Sequence, residues 1–155
     1  MKKLGFVLML TTLLFSKIPQ YTSDEYTKIY KDYNSTYIAK MVVEGIRQGL
    51  PIEIDTLTTV IKAESKDKSL LYTKQIDTKD KQFSTLWKKD KICLINSQVL
   101  VDRDIACAPS STRYFIMHRG ISIVYTYIDK QNTLLFQHTI GKEQCLKNDE
   151  RNKRY

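Results

Sequence analysis

The chain reads as an α+β domain in which two β-hairpins build a four-stranded antiparallel sheet covered on one face by helices. Three observations predict this. Val, Ile, Tyr and Thr crowd Ile121 to Ile128 and Thr133 to Ile140 on either side of the polar connection Asp129-Lys130-Gln131-Asn132. A second pair of β-like runs, Leu57 to Ala63 and Leu70 to Ile76, flanks Lys66-Asp67-Lys68. Before and between the hairpins, apolar residues recur every three or four positions, the period of a helix.

In chain order, Met1-Lys2-Lys3 followed by the apolar run Leu4 to Phe15 is too short for a comfortable membrane span and has the build of a secretory signal, assigned to residues 1–16. Ser16 is the best candidate for the last residue removed, and an uncleaved anchor is the alternative. Residues 17–23 read as a linker, 24–146 as a single α+β domain and 147–155 as a flexible charged tail. Ser23 or Asp24 can cap a helix running to about Gln48, with Tyr26, Tyr30, Tyr33, Tyr37 and Met41 as its packed stripe. Gly49 and Pro51 end it.

In the first hairpin Leu57, Ile61 and Ala63 suggest one face and Val60 the other. Leu70, Tyr72 and Ile76 are the inward set of the return strand. Lys81 to about Ile105 is expected to be helical, in one piece or two, with Phe83, Leu86, Trp87, Leu94, Val101 and Ile105 on one stripe that Asp90 interrupts. Pro109-Ser110-Ser111-Thr112 starts a short helix that Gly120 closes. The last hairpin is expected to use a four-residue loop built on a type I turn with Asp129 bonding the backbone. That loop sets Ile128 opposite Thr133, Tyr125 opposite Phe136 and Ile123 opposite His138.

Three cysteines allow three single bridges, and in an oxidising compartment the pair that flanks the hairpin, Cys107 with Cys145, is the expected one. It closes a loop of about 38 residues, worth roughly 3–4 kcal/mol in the chain-entropy model. Cys93 is then expected to be free and buried, and an intermolecular bridge through it is the less economical reading.

Leu50-Pro51-x-x-Ile54-Asp55-x-Leu57, Leu71-Tyr72, Cys107 with Arg113, Gly120-Ile121-x-Ile123-x-Tyr125-x-Tyr127-x-Asp129 and Cys145 together resemble a group of small exported bacterial domains of uncharacterised function. The likeness runs from about residue 24 to residue 145. It implies a periplasmic or envelope setting and a structural Cys107 and Cys145 pair, and it implies no reaction and no ligand. Gln131-Asn132 depart from the pattern, where a hairpin Gly is usual.

The formal charge of +8 falls to about +6 if Lys2 and Lys3 leave with a signal. This favours acidic partners or an anionic surface. Nothing matches a nucleic-acid-binding motif. His118 and His138 read as structural histidines, and no metal-ligand spacing or cofactor motif stands out. Paired carboxylates such as Asp102 and Asp104 read as solvated helix faces. The sequence therefore points to a periplasmic or secreted, non-enzymatic, accessory factor that binds another macromolecule of the envelope or outside the cell. Its binding surface is expected at a sheet edge or at Lys79, Lys81, Lys88, Lys89 and Lys91. The competing classes are a small thiol-dependent hydrolase using Cys93 with His118 or His138, and a structural subunit anchored in the membrane by an uncleaved amino terminus.

Overall fold

The computed structural model describes residues 21–153. The expected signal over 1–16 and most of the linker lie outside the described residues.

The first helical stretch is two helices. α1 (Ser23–Tyr30) is capped by Thr22, whose hydroxyl accepts from the Glu25 amide while the Glu25 carboxylate accepts from the Thr22 amide at 2.6 Å. α2 (Ser35–Arg47) restarts at Asn34, whose side chain accepts from the Tyr37 amide at 2.8 Å. The second cap resets the helical phase. Tyr26 is buried, but Tyr33 and Tyr37 stand exposed, and Ile38, Ala39 and Val43 form the packed face of α2 instead.

The sheet has five strands in the order β1-β2-β3-β4-β5, one more than expected. They are β1 (Ile52–Glu53), β2 (Thr58–Lys66), β3 (Ser69–Ile76), β4 (Ser122–Asp129) and β5 (Leu134–Ile140). β1 is too short to show as a β-like run. The two expected hairpins are present, β2 with β3 and β4 with β5, both antiparallel. They meet through a parallel pair, with Ser69 beside Ser122 and Ile76 beside Asp129, so the sheet is mixed rather than antiparallel throughout. The reason lies in the long connection. After β3 the chain runs through α3 (Lys81–Lys89), α4 (Lys91–Cys107) and α5 (Ser111–Arg119), and enters β4 at the end where β3 began.

Two irregularities explain where the expected faces shift. A bulge in β2 between Val60 and Lys62 brings Val60 and Ala63 onto the same buried face, although simple alternation separates them. At the loop Ile128 pairs with Leu134 rather than Thr133, and a second irregularity between Tyr127 and Ile128 adds one more residue, so that the register moves by two and Tyr125 pairs with His138 and Ile123 with Ile140. A shift of two keeps each side chain on its expected face. The loop behaves as expected in one respect: the Asp129 carboxylate accepts from the Gln131 and Thr133 amides, both at 2.8 Å. Asn132 takes the left-handed position, φ 64°, where Gly is usual.

Ser110 caps α5, and Gly120 ends it at φ 63°. Cys107, at the end of α4, is bonded to Cys145 in α6 (Lys142–Asn152), with the two Cα atoms 5.2 Å apart. Arg113 fastens this corner by donating to the Cys107 carbonyl at 2.9 Å and to the Asp149 carboxylate at 2.7 Å. The charged segment from Lys147, expected to fray, is helical through Asn152. Asn148 is buried there, and Arg151 pairs with Asp104. The helix forms because α4 and α5 supply partners for these charges. Among the described residues, no helix is long and apolar enough to cross a membrane.

Candidate functional site

Asp90 ends α3 and caps α4, its side chain accepting from the Cys93 amide at 2.9 Å. The break shifts the phase of α4 relative to α3. The stripe expected to continue from Phe83 to Ile105 is therefore split: Phe83 is buried and Trp87 packs on the core, whereas Val101 and Ile105 are exposed. The residues of α4 that face inward are Leu94, Gln98, Asp102 and Ala106. Cys93, expected to be buried, is exposed for the same reason.

Asp102 is the centre of a buried polar cluster. It is 1% exposed and Lys74, on β3, 5%. The Lys74 ammonium donates to Asp102 Oδ1 at 2.5 Å and to the Tyr127 hydroxyl at 3.0 Å. The Tyr127 hydroxyl donates to Asp102 Oδ2 at 2.6 Å, and His138 Nε2 lies 2.8 Å from the same oxygen. Lys74 Nζ also sits 4.4 Å from the centre of the Tyr125 ring. Burial opposes the charge on Asp102, but the His138 hydrogen bond and the Lys74 charge outweigh it and hold the carboxyl below the usual range. Burial, reinforced by the hydrogen bond to Asp102, pushes the Tyr127 phenol up, so its O–H remains a donor.

These four side chains come from three strands and one helix and turn their polar ends on one another. His138 Nδ1, also buried, has no hydrogen-bond partner among the described residues. Asp102 is thus not the solvated carboxylate expected beside Asp104, which is exposed and paired with Arg151 at 2.6 Å. The partner of His138 is a carboxylate rather than backbone. A polar residue at an inward strand position, Lys74 between Tyr72 and Ile76, was the available signal.

The other residues singled out for chemistry lie apart. His118 Nε2 is 3.2 Å from Ser23 Oγ, and its ring stacks on Tyr114. Among the described residues, neither imidazole hydrogen-bonds to Cys93, and no three His, Cys, Asp or Glu side chains group to suit a metal ion.

One open feature is a groove of about 200 Å³ where α3 and α4 meet the ends of the strands. Leu57, Ile76, Phe83, Trp87, Leu94 and Phe136 supply its apolar lining. Phe83 and Trp87 stack at 5.5 Å, and Lys91 Nζ lies 4.7 Å from the centre of the Trp87 ring. The five lysines expected to bind, Lys79, Lys81, Lys88, Lys89 and Lys91, are all exposed on or beside α3. Nearby acids are already engaged. Asp80 and Asp90 accept from helix amides, and Asp77 pairs with Lys130 at 2.6 Å, which holds its carboxyl below the usual range. Asp55, in the lining, accepts from the Leu57 and Thr58 amides; it keeps its charge, as Asp80 and Asp90 do, and the five lysines outnumber these three carboxylates, which leaves the surround of the groove net positive.

No protein-family model matches the chain, and no curated protein does. Solved structures do. The pilotin EpsS of the Vibrio vulnificus type 2 secretion system has a TM-score of 0.58 at 13% identity, covering 72% of this chain and 91% of its own. A Pseudomonas aeruginosa protein described as secreted has a TM-score of 0.58 at 16% identity, covering 74% of this chain and 96% of its own. The pilotin AspS of the Vibrio cholerae type II secretion system has a TM-score of 0.55 at 18% identity, covering 77% of this chain and 99% of its own. The chain shares with all three, over nearly their whole length, an α+β fold.

Proposed function

We propose that this protein is a non-enzymatic accessory factor that works in the bacterial envelope by holding another protein, in the manner of a secretion-system component. The observation that carries this reading is the apolar groove at Phe83, Trp87, Leu94 and Phe136, open to solvent and bordered by lysines that form no ion pair among the described residues. A protein segment with an apolar anchor side chain and acidic neighbours matches that surface. The fold shared with two pilotins supports a secretion setting. An exported chain is the setting in which the Cys107 and Cys145 bond persists.

A crosslinked pull-down from envelope extracts at low salt tests the proposal. The expected result is one recurrent protein partner, lost when Trp87→Ala or Leu94→Asp is used as bait and weakened by salt. Recovery of the same partner by wild type and both variants rules out the groove. Recovery of no partner rules out the accessory role.

A further inference from the structure

α4 is apolar on both sides. Its inward face packs on the core, yet its exposed residues include Ile92 at 73%, Leu100 at 40%, Val101 at 49% and Ile105 at 60%, together with Cys93. The exposed positions of α4 also hold two uncharged polar residues, Asn96 and Ser97, and two charges, Lys91 and Asp104, of which Asp104 is neutralised by Arg151. Lys88 and Lys89, at the end of α3, and Lys91, whose Nζ lies over the Trp87 ring, stand exposed at the amino-terminal end of the helix. The combination is a helix surface whose exposed aliphatic residues run from Ile92 to Ile105, about 20 Å, with a cationic end.

A second copy of the chain suits it poorly. One helix face laid against another buries well under the roughly 800 Å² per partner of a stable interface, and each copy brings a formal charge of +8. An anionic bilayer suits it well. Aliphatic side chains of this size enter the boundary between headgroups and acyl chains, while lysines at the rim meet the phosphates. We propose that the outward face of α4, with Lys88, Lys89 and Lys91, seats on an anionic phospholipid surface. The aliphatic part of this surface lies apart from the groove lining, which α3 and α4 supply through Phe83, Trp87, Leu94 and Gln98, whereas Lys88, Lys89 and Lys91 border both.

The free thiol makes the test local. Cys93 in the full chain, with the Cys107 and Cys145 bond intact, is labelled with an environment-sensitive fluorophore and titrated with two kinds of vesicle. One is phosphatidylcholine mixed with phosphatidylglycerol, the other phosphatidylcholine alone. The expected result is a blue shift with the anionic vesicles only, reversed by salt. Neutralising the three lysines (K88Q/K89Q/K91Q) lowers the partition by about a hundredfold. Val101→Asp with Ile105→Asp lowers it by about tenfold or more. Circular dichroism checks that each variant is folded, and the lysine variant decides alone if the aspartates unfold the chain.

Three results overturn the proposal. The first is no spectral shift, or an equal shift with both vesicles. The second is vesicle pelleting with no change at Cys93, which assigns attachment to another part of the chain. The third is a concentration-dependent dimer in the absence of lipid that the aspartate variant dissolves, which assigns the face to a second copy.

Discussion

Replacing Asp102 with Asn removes the carboxylate that pairs with the Lys74 ammonium while preserving shape and an acceptor for Tyr127 and His138. Lys74 is 5% exposed, so it cannot turn to water. Breaking a buried pair by removing one partner costs about 3–5 kcal/mol, because the remaining charge is stranded. The Tyr125 ring recovers only about 0.5–2 kcal/mol of this, so a loss of at least about 2 kcal/mol is expected. At roughly 4 °C per kcal/mol for a domain of this size, the melting temperature falls by about 8 °C or more. Urea unfolding followed by Trp87 fluorescence, with the disulfide intact, measures it as a lower midpoint at unchanged slope. The double variant Lys74→Met with Asp102→Asn separates charge from shape. With no charge left unpaired, it is expected to be more stable than Asp102→Asn alone. If Asp102→Asn costs under about 1 kcal/mol, or the double variant is the less stable of the two, the pair is not the buried charge unit described above.

The same carboxyl sets a pH dependence. Its folded pKa lies below its unfolded one, so its contribution is full above about pH 4 and is lost as pH falls through the folded value. Acid titration of stability is therefore expected to be steeper in wild type than in Asp102→Asn. Thiol titration in denaturant without reductant should count one group, Cys93, and with reductant three. Cys107→Ser with Cys145→Ser should lose about 3–4 kcal/mol in unfolding experiments. Gly120→Ala should cost about 1–2 kcal/mol, measured by the same unfolding. An added Cβ there meets nothing within 4 Å, which leaves the left-handed backbone as the whole cost.

Where local chemistry decides conformation, the sequence was readable. Ser110 and Gly120 bound α5, Asp129 organises the hairpin loop, and the alternation of Ile123, Tyr125 and Tyr127 sets the inward face of β4. Misreadings arose where one residue resets a phase. Asn34 and Asp90 each restart a helix, which turns Tyr37 and Val101 outward, and the β2 bulge brings Val60 inward. The sign of the central strand pairing was not readable, since hairpins carry no record of how distant partners meet. The buried cluster was hidden for a related reason. Asp102 and Lys74 are each ordinary surface residues by type, and only the parallel pairing of β3 with β4 sets Lys74 beside Tyr127. The groove residues Phe83, Trp87 and Leu94 fall on the expected core stripe; Phe83 is buried, and Trp87 and Leu94 are half-buried on either side of the helix break at Asp90.

The parallel seam between β3 and β4 divides the chain's architecture by sequence distance. Each ribbon can close on neighbours close by in the chain, but joining them waits until the whole helical excursion from Asp77 to Ile121 has found its place. That excursion carries both the groove wall and the outward α4 surface. It also carries Asp102, which ties it to both ribbons through Lys74, Tyr127 and His138, and Cys107, which ties it to α6, so the room for change within it lies at its solvent-facing positions.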